Sequence, residues 1–393
     1  MFIISLLITY IVFLLHCFPL PTEGKSSAPV VPNIDKIDLC NTPSLEEVSG
    51  VDANQFCIEH DNITRCWYLY IPDSVVTNSS SPIPLVLDLH GYNLCASMSA
   101  NYTGWNRIAE QHAFMVVWPQ GNLNAKYSND PSWDFGACCS GLGESENEGE
   151  MPPPADINDV DFLIQLIANV VDYSANEKNI TVDTKRLYFG GHSNGCIMAQ
   201  AMAALRSDVV SAVCCHAANA LAAPESSYLP TPVQVIYGDL DFFLQMDFGF
   251  PVLEFWGPIN QCPINDTVID QSGLYATHTL SNCADNVEVE TVELYNVGHY
   301  PYLDLPPDNR YTISEYPGAV TPTIDTTLLA WEFCSAFESD AEPILPEPVA
   351  LVAADEYFTA QAQSTPPSSS AFVPSFNLVA SLIAVHFIHM LAI

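Results

Sequence analysis

Three observations predict an α/β fold with a mostly parallel, doubly wound sheet. Apolar runs of strand length recur along the chain, stretches with helical spacing fall between them, and a glycine-framed turn joins one such strand directly to a helix. Strands are expected at 65–71, 84–89, 113–118, 186–189 and 233–237. Helices are expected at 105–112 and 159–173, where apolar residues recur every three or four positions, and at 194–205, directly after the fourth strand. Strands alternating with helices favour parallel pairing, because a parallel neighbour needs a crossover long enough to hold a helix. One domain is expected over 40–338.

The charge is lopsided: 10 Lys and Arg stand against 46 Asp and Glu, a net −36. Nucleic acid is excluded as a partner, since a duplex binder needs clustered basic residues to replace phosphate counterions. With 49% hydrophobic and 11% aromatic residues, the chain still has ample material for a buried core.

Both ends depart from this composition. Residues 1–24 open with an uncharged apolar run, Phe2 to Leu15, followed by Pro19, Pro21 and Gly24, as in a cleaved secretory signal. An uncleaved anchor is the alternative. After Phe337 the periodicity stops, and 339–377 reads as a Pro/Ser/Ala-rich acidic stalk. Small residues Ser368 to Ala371 and an apolar tail, 378–393, resemble a signal exchanged for a glycosylphosphatidylinositol (GPI) lipid. A short transmembrane anchor is the alternative there. The expected location is therefore secreted or on the outer face of the plasma membrane, held by a C-terminal lipid anchor.

Of the 13 cysteines, Cys17 lies in the leader and the rest are even in number, as disulfides require. Cys57 with Cys66, and Cys262 with Cys283, have the spacing of local bridges. Sequons at Asn62, Asn78, Asn101, Asn179 and Asn265 agree with a secretory route. Cys138-Cys139 and Cys214-Cys215 are adjacent pairs, H-E-x-x-H is absent, and no metal site is expected.

The chemistry concentrates at Gly191-His192-Ser193-Asn194-Gly195, between a strand and a helix, which is the setting of a nucleophile elbow. Ser193 is the candidate nucleophile, with Gly191 and Gly195 leaving room for the tight turn. A serine hydroxyl needs a base, and the base needs a carboxylate to hold it. Asp239 and Asp241 follow the apolar strand 233–237, and His299 follows a strand-like stretch at 287–295. His192 adjoins Ser193 but is expected to point away from it; His216 and His278 read as structural. Backbone N–H groups of Asn194 and of Tyr92, after His90-Gly91, are the expected oxyanion donors. These groups require no cofactor.

With those stretches in place, the chain resembles the secreted esterases related to polyhydroxybutyrate depolymerases and feruloyl or acetylxylan esterases, of the α/β-hydrolase superfamily. The resemblance spans roughly Arg65 to Pro301. It rests on Arg65 to Pro72, His90-Gly91, Thr103-Gly104-Trp105, Val117 to Gly121, Cys138-Cys139, Asp159 to Phe162, the Ser193 elbow and Gly298-His299-Tyr300-Pro301. It implies that Ser193 is the nucleophile, Asp241 the acid and His299 the base, with Asp239 left as the other acid. It also implies an acyl-enzyme route on carboxylic esters. The negative charge favours neutral esters, including polysaccharide- or polymer-linked ones. Cys196 stands where the family usually has a second glycine, and Tyr92 where it often has cysteine. An acidic stretch at 141–154 carries Glu144, Glu146, Glu148 and Glu150. Trp133 suits either a stacking role on a substrate ring or a core role. The alternative for the whole chain is a catalytically inactive surface binding or adhesion protein on this fold.

Overall fold

A computed structural model of the chain describes residues 51–61, 63–78, 81–123, 131–135, 158–245, 249–263, 267–271, 273–303 and 319–352. The expected leader at 1–24, the stretch 141–154, Cys138-Cys139, Asn62, Asn265 and the expected C-terminal anchor signal at 378–393 lie outside them.

The strands are β1 (Asn54–His60), β2 (Ile63–Tyr70), β3 (Ile83–Leu89), β4 (Met115–Pro119), β5 (Asn122–Leu123), β6 (Pro131–Ser132), β7 (Val182–Gly191), β8 (Ala212–His216), β9 (Val233–Gly238), β10 (Thr267–Gln271), β11 (Tyr275–Leu280), β12 (Val289–Leu294) and β13 (Leu351–Val352). The helices are α1 (Asp73–Asn78), α2 (Ala96–Tyr102), α3 (Trp105–His112), α4 (Asp159–Lys178), α5 (Asn194–Leu205), α6 (Phe242–Gln245), α7 (Val252–Ile259) and α8 (Thr326–Cys334). An 11-stranded sheet runs in the order β10-β11-β12-β9-β8-β7-β3-β4-β2-β1-β13. From β4 through β3, β7, β8 and β9 to β12 all neighbours are parallel, while β1, β2, β10, β11 and β13 pair antiparallel. This is the α/β-hydrolase arrangement, with β3 and β4 exchanged in the sheet and the elbow helix leaving β7.

The five expected strands correspond to β2, β3, β4, β7 and β9, with β4 starting two residues later than expected because Ala113 takes the left-handed C-cap of α3. β7 begins at Val182, earlier than its apolar run: Val182 pairs with Ile83, and the register shifts before Leu187 pairs with Leu85. α4 continues past the last apolar period at Tyr173. Its end is set by polar chemistry: Lys178 closes the last turn and Asn179 takes the left-handed C-cap at φ 55°. Its start is capped by Asn158, whose side chain accepts from the Asp161 N–H.

Apolar clusters cover the two sheet faces. One packs α4, α5 and α7 against β3, β7, β8 and β9; the other gathers Trp105, Phe114, Trp118, Tyr188 and Trp331 under α3 and α8. α5 is buried along nearly its whole length, so its surroundings admit no polar face.

Cys57 and Cys66 face each other across the β1–β2 hairpin and are bridged, and Cys262 is bridged to Cys283, as expected. Adjacent strand residues point to opposite faces, and β8 uses this. Cys215 bonds Cys196 on α5, while Cys214 bonds Cys334 on α8 on the other side. Cys196 is thus a buried disulfide cysteine. Loops of such lengths constrain the unfolded chain by about 3 to 5 kcal/mol each in the loop-entropy picture.

Part of the expected stalk is docked. Asn169 on α4 bonds the backbone of Val349 through both its amide oxygen and its amide nitrogen, Gln165 bonds the Glu347 carbonyl, and β13 pairs with β1. The segment closes an otherwise open sheet edge, which is a physical reason for it to lie on the body. Among the sequons, Asn179 is exposed and Asn101 is half-buried on α2. Among the described residues no helix is long and apolar enough to cross a membrane, and no His/Cys/Asp/Glu cluster suits a metal.

Candidate active site

Ser193 sits at the N-terminus of α5 with φ 54° and ψ −118°, a strained conformation for a residue with a side chain. The strain is held from several sides. The Ser193 N–H donates to the His216 carbonyl and the His192 N–H to the Leu89 carbonyl. A Cβ at Gly195 would lie 1.9 Å from the Leu89 carbonyl oxygen, so only glycine lets α5 leave β7 this close to β3. Ser193 itself is half-buried, open enough to meet a substrate.

His299 and Asp241 arrive from neighbouring strand ends. β9 and β12 run parallel, and a Cβ at Gly238 would lie 2.0 Å from the Val297 carbonyl oxygen, so the chain after β12 crosses directly over the end of β9. There the Leu240 N–H donates to Val297 and the Asp241 N–H to Gly238. His299 Nδ1 lies 2.8 Å from Asp241 Oδ2, with both side chains buried. The second carboxylate oxygen, Oδ1, accepts from the Phe243 N–H at 3.0 Å. Donation from Nδ1–H to the carboxylate leaves Nε2 as the imidazole's acceptor. Asp239 is placed differently: its Oδ1 accepts from the Asn296 N–H at 2.7 Å, a turn-closing bond away from the imidazole.

Leu89 pairs with Gly191, so the His90-Gly91-Tyr92 loop and the elbow leave adjacent strands side by side. Asn194 is the first residue of α5, where backbone N–H groups lack intrahelical acceptors. Tyr92 is followed by Asn93, whose N–H donates to the Pro131 carbonyl. His90 holds the loop from within. Its Nε2 accepts from the Gly121 N–H at 2.8 Å, Nδ1 contacts the Gly91 carbonyl at 2.9 Å, and burial pushes its pKa down to about 4. Below it Asp88 accepts from Thr103 and Trp118, and burial outweighs those bonds to raise its pKa to about 7.

Trp133 belongs to the core. It has no exposed surface, and its indole N–H donates to the His90 carbonyl at 2.8 Å. A ring with no exposed surface has no face left for a substrate, and the structure places Trp133 in a core role. The Asn194 side chain accepts from the Trp133 N–H at 2.8 Å, and Asp159, paired with buried Arg65, accepts from the Asp134 N–H. His216 is fully buried against Tyr302, and burial pushes its pKa down to about 3. His278 lies on β11 opposite Thr291, on the antiparallel extension of the sheet.

Sequence reasoning missed two neighbours of His299. Phe243, about half exposed on α6, has its ring centroid 4.7 Å from the imidazole. His192 reaches the loop of His299: its Nε2–H donates to the carbonyl oxygen of His299 at 2.7 Å. A signal for Phe243 existed in the paired apolar residues directly after Asp241. None existed for His192, whose partner is 107 positions away.

No family model matches the chain. Individual proteins do. The chain is 23% identical over 240 residues to a bifunctional acetylxylan esterase/xylanase of Neocallimastix patriciarum, covering 60% of this chain and 31% of that one. It is 29% identical over 191 residues to poly(3-hydroxyalkanoate) depolymerase C of Paucimonas lemoignei, covering 47% and 37%. The chain is similar to acetylxylan esterases and a polyhydroxyalkanoate depolymerase. It spans about half or less of the length of the curated relatives it matches. Among solved structures, an acetyl xylan esterase from Aspergillus awamori aligns with TM-score 0.43 and 14% identity, over 65% of this chain and 96% of that one.

Proposed function

We propose that the chain is a serine carboxylic-ester hydrolase in which Ser193, His299 and Asp241 form the triad. Two observations support this reading: Ser193 lies in a strained strand-to-helix turn, and the His299 imidazole is bonded through Nδ1 to the buried Asp241 carboxylate. Ser193 Oγ attacks the ester carbonyl carbon while its proton passes to His299 Nε2. The negative charge gathering on the carbonyl oxygen is met by the backbone N–H groups of Asn194 and Tyr92. Collapse of that intermediate expels the alcohol oxygen, which takes the proton from His299, and leaves Ser193 acylated. Water, deprotonated by the same imidazole, then releases the acid. Asp241 holds the ring in the useful tautomer and stabilises its charged form.

The substrate class proposed is neutral esters, of the acetylated-polysaccharide, feruloyl or polyester kind. The net charge of −36 repels anions, and the relatives' names point the same way. A fluorophosphonate should label Ser193 stoichiometrically, with the adduct located by mass spectrometry. The labelled enzyme should lose its activity on acetylated xylan and methyl ferulate. A chain that takes no label and hydrolyses neither ester would be an inactive fold with a binding role.

We further propose that the mature protein stands on the outer cell surface through a GPI lipid, from the tail's order of small residues, spacer and apolar run. Phosphatidylinositol-specific phospholipase should then release it from intact cells. Retention on cells, with 378–393 still present in the mature chain, would replace the lipid with a membrane span.

A further inference from the structure

The residue before the candidate nucleophile is bound to the residue that would serve as its base. His192 is 1% exposed, and its ring lies among the side chains of His299, Tyr300, Tyr302 and Tyr102, with centroids at 4.8, 4.6, 5.7 and 6.0 Å. Its backbone is fixed on both sides of the elbow, the N–H donating to Leu89 and the carbonyl accepting from Gly195. From that anchor the side chain reaches across and donates from Nε2–H to the His299 carbonyl oxygen at 2.7 Å. The other ring nitrogen, Nδ1, stands 3.4 Å from the Tyr102 hydroxyl, a donor suited to the neutral ring. Burial holds the imidazole neutral, because it disfavours the charged form.

The bond spans two loops that no strand pairing joins. Asp241 fixes the side chain of His299 through Nδ1, but a ring held only there could still swing with its loop relative to Ser193. The bond to the His299 carbonyl fixes the backbone from which the imidazole projects, and it does so from the residue covalently next to Ser193. We propose that His192 is a positioning residue that ties the base loop to the elbow and so sets the distance from the His299 imidazole to Ser193 Oγ. The claim rests on the reading of His299 as the base. It assigns His192 no contact with substrate and no proton to transfer. Misplacement of a reacting group by about 1 Å is enough to cost roughly 100-fold in rate.

The test uses the full chain, with sites counted by fluorophosphonate labelling and kcat expressed per labelled site on a neutral ester. His192→Leu keeps an apolar volume and removes the donor, and kcat per site should fall about 10- to 100-fold with KM changed less than about 3-fold. His192→Gln places an amide N–H near the Nε2 position and should return kcat to within about 3-fold of the parent. His192→Asn carries the same amide one methylene short, cannot reach the carbonyl, and should stay low. If the leucine variant does not fold, the Gln and Asn pair decides alone. Equal kcat per site in the leucine variant and the parent, or equal values for Gln and Asn, would overturn the positioning role. A parent that takes no label and turns over no ester overturns the hydrolase reading instead, a result seen before any variant is made.

Discussion

Ser193→Ala is expected to lower kcat by about five to six orders of magnitude, with KM little changed. His299→Ala should do nearly the same. The double variant should fall scarcely further, because a nucleophile without its base and a base without its nucleophile are equally idle. Additive losses would mean that the two groups act separately and would break the triad reading. The residual rate should still exceed that in water if the proposed N–H donors at Asn194 and Tyr92 meet the oxyanion. Folding should survive in Ser193→Ala. Alanine shares serine's backbone preferences, so the strain at φ 54° is unchanged, and among the described residues the elbow is closed by backbone bonds rather than by the Ser193 hydroxyl. A thermal midpoint close to the parent's therefore belongs to the same expectation, and full activity in Ser193→Ala would end the hydrolase reading.

Where one physical cause dominated locally, the fold was legible. β3 and β9 are mostly apolar, broken by buried Asp88 and Gln234, because neighbours cover both of their faces, and their boundaries were found to within a residue or two. The elbow was legible because its glycines answer a steric need that no other residue meets. Strands whose sequence mixes signals were not found. β8 reads Ala-Val-Cys-Cys-His, where the cysteines serve two disulfides, and β10 and β11 carry threonines and polar residues at a two-sided margin. β1 hides its apolar residues between Asn54 and His60 in the same way. The stretch 339–352 has no period and yet docks, because backbone groups meeting Gln165, Asn169 and β1 leave no mark on its side-chain pattern.

The candidate site divides along the same line. Ser193, the pair Asp239 and Asp241, and His299 stand at strand ends near glycines, and a local reading reached them as candidates; between the two aspartates only the resemblance favoured Asp241. Trp133 and His192 owe their roles to partners across the fold, a carbonyl at His90 and a carbonyl at His299. A tryptophan near a catalytic loop looks the same in sequence whether its indole N–H is satisfied inside the protein or turned to a ligand. Only the hydrogen-bond partner separates the two, and that partner is set by tertiary packing.

The choice between the two aspartates carries the second large expected effect. Asp241→Asn should lower kcat by about 10⁴-fold. The amide can present an N–H to His299 Nδ1, which favours the tautomer with its proton on Nε2, and that nitrogen then has no lone pair for the Ser193 hydroxyl. The loss of negative charge also removes the partner that stabilises the imidazolium. Asp239→Asn should leave kcat within about 3-fold, since the amide oxygen can still accept from the Asn296 N–H and the turn between β9 and the base loop stays closed. Its cost should appear in stability instead, at about 1 kcal/mol for exchanging a charge-assisted bond for a neutral one. Measured at equal concentrations of folded protein, the two variants separate the roles cleanly: a tautomer defect leaves the protein folded and slow, a turn defect leaves it active and less stable. If Asp239→Asn were the slow variant and Asp241→Asn the active one, the acid would be Asp239. The bond between His299 and Asp241 would then be a structural contact, with Ser193 and His299 retained as nucleophile and base.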